Sequence, residues 1–288
     1  MKYSLSIQIL LIIMLIYGCE ESTTTETEES VTQVLFFYAF HADSYWDSST
    51  QEPVMEKNTS GGGVIIADPM PTFEYFKMGE ETFSDEDYSH YLPGYIVFGD
   101  FSLNNNTLIT SNFSPLNVEV KTSLGLVTGS VNLPDVIDLI SLSEYDTLAL
   151  GEPFTINWTG SNADFYNVNC YYRWINNEGN TESADLQEFV TGNSITYPGS
   201  EFMHNGEISF VYVQPVNGPL PIEGAEGNMT GDGNGFLYYN INGTGYDGEN
   251  IVVGTGNNNF PKIAFEIEAK QQLDKNRKTL EKRIIEIQ

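Results

Sequence analysis

Leu116-Asn117-Val118-Glu119-Val120-Lys121-Thr122-Ser123-Leu124-Gly125-Leu126-Val127-Thr128-Gly129-Ser130-Val131-Asn132-Leu133 is the stretch that decides the fold class. Leu116 to Thr122 and Leu126 to Leu133 carry the Val, Leu and Thr content that a pleated, half-buried surface favours. Ser123-Leu124-Gly125 is a short connection between them, and its glycine can adopt positive φ. Together they predict a β-hairpin.

The same character extends in both directions. Short alternating or apolar runs bounded by Gly, Pro, Asn and Asp predict strands at Gln33 to Phe40, Val64 to Ala67, Thr72 to Lys77, Tyr95 to Phe101 and Thr107 to Phe113. With the hairpin they form an N-terminal β-sandwich over residues 31–140. Pro134 stops the last strand, and Asp135 to Ile140 serves either as a link or as the first strand of the next unit. In the second half Phe154, Ile156 and Trp158 alternate with polar residues. Tyr166, Val168, Cys170, Tyr172 and Trp174 then fall on one face of a longer strand, Phe165 to Ile175. Further strands are predicted at Ser194 to Tyr197, Ile208 to Gln214, Phe236 to Ile241, Asn250 to Val253 and Lys262 to Glu268. This order resembles an immunoglobulin-like or fibronectin-type-III-like sandwich over residues 143–268, a resemblance that implies a fold and no function.

Helical periodicity comes only at the C-terminus. Leu273, Leu280, Ile284 and Ile287 share one face of an uninterrupted, charge-rich run, predicting a short amphipathic helix over 269–288. It would serve as a docking or fraying terminal helix, or as a membrane or coiled-coil contact. The expected class is therefore all-β: two tandem sandwiches, the second immunoglobulin-like, with one terminal helix.

The first residues bear on location. Leu5 to Tyr17 is an apolar run of thirteen residues, preceded by Lys2 and ended by Gly18-Cys19. A bilayer span takes about 20 helical residues, so the run is short for one and has the layout of a secretory signal over residues 1–18. Ile16-Tyr17-Gly18-Cys19 resembles the lipobox of bacterial lipoproteins, which implies lipidation of Cys19 and anchoring to a membrane. Residues 19–30 are acidic and poor in apolar side chains, which predicts a disordered tether. An acidic stretch directly after the cysteine is similar to the surface-export signals of Bacteroidetes-type lipoproteins. It implies the cell envelope of a Gram-negative bacterium, at the outer membrane or cell surface. Once Cys19 carries lipid, Cys170, the only other cysteine, has no partner and reads as a buried, inert thiol.

Charge excludes one class of partner. The chain holds 40 acids against 12 basic residues, a net charge of −28, and six of the basic residues lie between Lys270 and Arg283. An acidic body repels phosphates, so no nucleic-acid partner is expected. Chemistry is sparse as well. GxSxG, HExxH, Walker and CxxC patterns are absent, and His41, His90 and His204 are scattered. The chain reads as a non-enzyme needing neither cofactor nor metal. Gly231-Asp232-Gly233-Asn234-Gly235 has the flavour of a calcium loop, but Phe236 and Gly243 stand where an EF-hand needs oxygen ligands. Residues 217–258 hold eleven of the 26 glycines and read first as turns and long loops.

One stretch combines flat rings with carboxylates: Asp43, Tyr45, Trp46 and Asp47, with Asp85 to Tyr91 later in the same domain. Rings that stack on sugar C–H groups beside oxygen acceptors are the means of holding a glycan. The expected function is a binding, adhesion or structural module with a protein or glycan ligand. A glycan-binding accessory protein, a fimbrial-type assembly subunit and a surface hydrolase are the alternatives. Cys19→Ser should move the protein from the membrane fraction to the soluble fraction, and retention at wild-type levels would overturn the lipobox reading.

Overall fold

Alternating apolar residues need a second layer to bury them, and the described residues supply it with 21 strands. The computed structural model describes residues 33–42, 45–47, 52–54, 58–84, 89–99, 108–109, 113–139, 147–160, 162–222, 224–241, 244–246 and 251–255. In chain order the first strands are β1 (Gln33–Ala42), β2 (Tyr45–Asp47), β3 (Glu52–Val54), β4 (Asn58–Ile66), β5 (Phe73–Met78), β6 (Glu81–Phe83) and β7 (Ser89–Leu92). Next come β8 (Tyr95–Gly99), β9 (Leu108–Ile109), β10 (Leu116–Thr122), β11 (Gly125–Val131), β12 (Thr147–Leu148), β13 (Phe154–Asn157) and β14 (Phe165–Ile175). The last are β15 (Thr181–Val190), β16 (Ser194–Tyr197), β17 (Gly206–Asn217), β18 (Met229–Gly231), β19 (Gly233–Ile241), β20 (Thr244–Tyr246) and β21 (Ile251–Val253). Among the described residues the only helical element is a 3-10 turn at Gly199–Glu201, so the class is all-β. The signal, the tether, the strand at 262–268 and the C-terminal helix lie outside the described residues.

The hairpin forms where its composition places it. β10 pairs antiparallel with β11 from Leu116↔Val131 to Thr122↔Gly125, and Gly125 takes φ 129°. Leu116, Val118 and Val120 point into a core shared with Leu35, Phe37 and Ala39 of β1 and with Ile65, Phe76, Ile96 and Phe98. Its centre is aromatic. Phe76 stacks on Phe83 at 4.7 Å, and Phe37, Phe76 and Phe98 meet at tilted angles, pairs worth about 0.5–1.5 kcal/mol each beyond their buried area.

The second core lies between β13–β16, a two-stranded sheet, and the inner face of β14, β15 and β17. Tyr166, Val168, Cys170 and Tyr172 all point into it, as their period-two spacing requires. They meet Phe154, Ile156 and Trp158 from the facing layer, with Val211 and Val213 beside them. β21 closes the sheet edge by pairing with β17 and, in parallel, with β12.

The two cores are not built from separate stretches of chain. β19 runs parallel to β1 over nine positions, from Gln33↔Gly233 to His41↔Ile241, and its far end pairs with β17 at Val216↔Asn240. β18 pairs with β11. Alternate residues of β19 serve different clusters: Leu237 and Tyr239 join the first core, whereas Phe236 and Tyr238 pack with Phe36, Tyr38, Phe165 and Val216 in a third. The glycine-rich stretch read as turns and loops is in part this strand pair. Side chains at Gly233 or Gly235 would collide with the Gln33 and Leu35 carbonyls, so the glycines let two backbones approach.

Three other differences from the sequence pattern share a logic. β4 starts six residues earlier than predicted, because Gly61-Gly62-Gly63 hides its apolar pattern; Cβ atoms at Gly61 and Gly63 would strike Phe37, Met78 and Phe98. β15, Thr-Glu-Ser-Ala-Asp-Leu-Gln-Glu-Phe-Val, was not foreseen. It pairs with β14 alone among the described strands and carries three acids, the means by which an edge strand discourages further pairing. β18 is three residues of mixed polarity, positioned by its neighbours. Leu237→Ala should cost about 2–5 kcal/mol. Urea unfolding followed by tryptophan fluorescence should lose that amount in a single transition, because Trp158 sits in the other core; an unshifted midpoint would refute the coupling.

Candidate functional site

The residues expected to hold a glycan are described only in part. Asp43 lies outside the described residues. Tyr45, Trp46 and Asp47 form β2, which pairs with β3 as a separate two-stranded sheet, Trp46 opposite Pro53. Of the later stretch, Ser89, His90 and Tyr91 lie on β7, with Tyr91 half exposed and its hydroxyl accepting the Phe73 N–H at 2.7 Å. Cys19 lies outside the described residues.

The three histidines sit in three settings. His41 is buried on β1, its Nδ1 3.0 Å from the Thr59 hydroxyl, which in turn meets the Tyr239 hydroxyl at 3.2 Å. His90 is exposed on the edge strand β7. His204 is exposed and lies flat on Trp174, ring centres 5.0 Å apart. Among the described residues no three His, Cys, Asp or Glu side chains gather as a metal site. Asp232, the first ligand of the imagined calcium loop, instead accepts the Leu126 N–H at 2.9 Å and its own N–H returns to the Leu126 carbonyl. It braces the β10–β11 hairpin.

A cleft of about 590 Å³ opens where the cores adjoin, lined by Asn132, Asn162, Asp164, Asn217, Gly218 and Asn228 among others. Its polar groups are largely committed to backbone. Asn217 donates to the Asn132 carbonyl at 2.9 Å and accepts the Asp164 N–H, while the Asp164 carboxylate accepts the Gly218 N–H at 2.8 Å. Asn228 accepts from Leu237 N–H at 2.7 Å and donates to its carbonyl at 2.9 Å, so that one amide side chain serves β19 as a missing strand would. These bonds tie residues 132, 164 and 217 across the junction. Sequence reasoning missed them because Asn and Asp in turns carry no signal separating a brace from a turn former.

The outer face of β14 and β17 is the other polar assembly. Odd-numbered residues of β14 point there: Phe165, Asn167, Asn169 and Arg173, each at most 3% exposed. Gln187 donates to Asn167 Oδ1 at 3.0 Å, Asn169 donates to the Asp185 carboxylate, and Arg173 pairs with Glu207 through both Nε and Nη2. A buried, doubly bonded ion pair holds orientation more than it adds stability, since desolvation of both charges offsets their attraction. On the same face Phe210 and Tyr212 stack at 5.8 Å, and Gln214 is wholly buried.

Burial also sets the state of the core acids. The Cys170 thiol is pushed far above its ordinary 9.0, because no solvent reaches it to stabilise a thiolate. Tyr172, Tyr197, Tyr238 and Tyr239 are likewise raised above 10.0, burial being the first cause for each. These groups stay protonated in the native state at pH values where the unfolded chain releases their protons. Their contribution to stability is therefore complete below about pH 9 and declines as pH climbs past 10.

No protein-family model matches this chain, and no curated protein matches it in sequence. Iodoacetamide at pH 8 should leave Cys170 unmodified in the native protein and label it after unfolding in urea, with urea midpoints falling between pH 9 and 11. Rapid native labelling would contradict an inert core thiol.

Proposed function

We propose that this chain is a lipid-anchored cell-envelope protein, held by lipid on Cys19 at the outer membrane or surface of a Gram-negative bacterium. It acts as a non-catalytic binding, adhesion or structural module. Its domains are an N-terminal sandwich at 31–140 and an immunoglobulin-like sandwich at 143–268, the latter lending residues 229–241 to the sheet of the former. The carrying observation is the β1–β19 pairing. A strand inserted between the last strands of one core and embedded in the other joins the two halves along nine register positions, so a load or ligand on one half is transmitted to the other. That suits a body on a tether better than a pair of domains that hinge about a catalytic cleft.

Glycan binding at Tyr45, Trp46, Asp43 and Asp47 is the second reading. It is favoured by β2–β3 standing as its own small sheet among the described strands, which leaves the backbone of Tyr45, Trp46 and Asp47 outside the ladders of both cores. A fimbrial-type subunit is the third; the edge strand β15 is long enough to take a donor strand, and its three acids would require that strand to be basic. Glycan-array binding should fall at least tenfold with Trp46→Ala if the second reading holds. Concentration-dependent polymers in light scattering select the third, and absence of both leaves an adhesion or structural role toward protein.

A further inference from the structure

The cleft where the two cores adjoin holds polar side chains whose hydrogen-bonding capacity the fold leaves unused. Of the nine described residues that line it, six are polar: Ser130, Asn132, Asn162, Asp164, Asn217 and Asn228. Asn217 and Asn228 commit both amide atoms to backbone. The other four do not. Asp164 accepts the Gly218 N–H with Oδ2 and keeps Oδ1 open, while Asn162 accepts the Asp135 N–H with Oδ1 at 2.7 Å and keeps Nδ2 open. The Asn132 amide and the Ser130 hydroxyl bond to none of the described residues, and all four side chains are exposed. The carboxylate is nevertheless fixed in place. Its own backbone N–H reaches Asn217 Oδ1 at 2.9 Å and the Val216 carbonyl at 3.1 Å. Gly218 takes φ 138°, where a Cβ would meet the Leu237 carbonyl at 2.7 Å, so glycine is needed to turn that N–H toward Asp164. A rigid acceptor with one uncommitted oxygen has little freedom to lose when a ligand meets it.

We infer that this cleft is a binding site for a neutral saccharide. The inference rests on the reading of the chain as a binding module and is independent of Trp46. The lining holds one carboxylate and no Lys, Arg or His, so an anionic ligand meets repulsion without a counter-charge. A cation such as Ca²⁺ takes about 6–8 oxygen ligands, and among the described residues no three His, Cys, Asp or Glu side chains gather. An apolar ligand would strip water from the open polar groups and return nothing to them. A saccharide meets all three conditions. Its hydroxyls donate and accept alike, so one donates to Asp164 Oδ1 while a neighbour accepts from Asn162 Nδ2, and Asn132 and Ser130 serve in either sense. Val131 and Pro219 supply apolar surface for the C–H groups of the ring. The volume of about 590 Å³ lies within the roughly 300–1,000 Å³ of ordinary ligand sites. Asn132 follows β11 and Asp164 precedes β14, so the bound sugar bridges the same junction that Asn217 braces.

The test is an array of neutral hexose, deoxyhexose and N-acetylhexosamine oligosaccharides probed with the full chain carrying Cys19→Ser, followed by calorimetric titration of the strongest-binding glycan. Asp164→Asn puts a donor beside the remaining acceptor at nearly unchanged size. Asn132→Ala removes a side chain that bonds to none of the described residues, so its urea midpoint should match the wild type and its binding can be read without concern for folding. Each substitution should weaken binding at least tenfold. Binding at wild-type strength in both variants overturns the assignment, and if Trp46→Ala then abolishes it the glycan sits on β2 instead. Loss of binding in EDTA overturns it too, because a metal would then make the contact. A chain that binds no neutral glycan overturns it as well, and an Asn132-dependent signal on an array of extended peptides would in that case give the cleft to peptide. None of these outcomes bears on the anchor, which the fractionation of Cys19→Ser tests separately.

Discussion

The parallel pairing of β1 with β19 is the constraint on which the rest depends. A parallel pair cannot be closed by a tight turn; its strands must be joined by a crossover, and here the crossover is nearly two hundred residues of chain. Everything between Ala42 and Gly233 therefore has to fold so that both ends arrive side by side. Alternation along β19 then decides which cores it serves, Leu237 and Tyr239 facing one and Phe236 and Tyr238 another. Had β19 paired one residue out of register, each set would face the wrong core.

Glycine is what permits this closeness. Gly233 and Gly235 press against β1 and Gly61 and Gly63 against the first core, each where a Cβ has no room. Such positions weaken local strand propensity, yet the tertiary contact they allow is worth more than the propensity lost. The same trade explains the Asn228 clamp on Leu237. Where β19 lacks a backbone neighbour, one amide side chain supplies donor and acceptor together.

Much of the framework was legible in the residues. β10 and β11, the inner face of β14, and the alternation of Phe154, Ile156 and Trp158 all follow from period-two burial, because each of those strands has one wet or polar side and one apolar side. Strands positioned by neighbours were not legible. β15 is polar because it is an edge, β18 is three residues long, and the first half of β4 is glycine. The candidate sites fared unevenly for a related reason. Trp46 stands out because a large ring beside carboxylates is rare, whereas Ser130, Asn132, Asn162 and Asp164 are individually ordinary. Only the cleft they share makes them a group.

By itself, then, the sequence determined an all-β class, a Cys170 pointing into the second core, and a strongly acidic composition. These depend on composition and on spacing within about ten residues, which the chain carries locally. The tertiary structure alone decided that residues 229–241 belong to both halves, that Asp232 is a brace, and that Asn132 and Asp164 line one cleft. Those outcomes rest on contacts between residues from 24 to 200 positions apart, and no local pattern encodes which distant backbone a glycine is leaving room for.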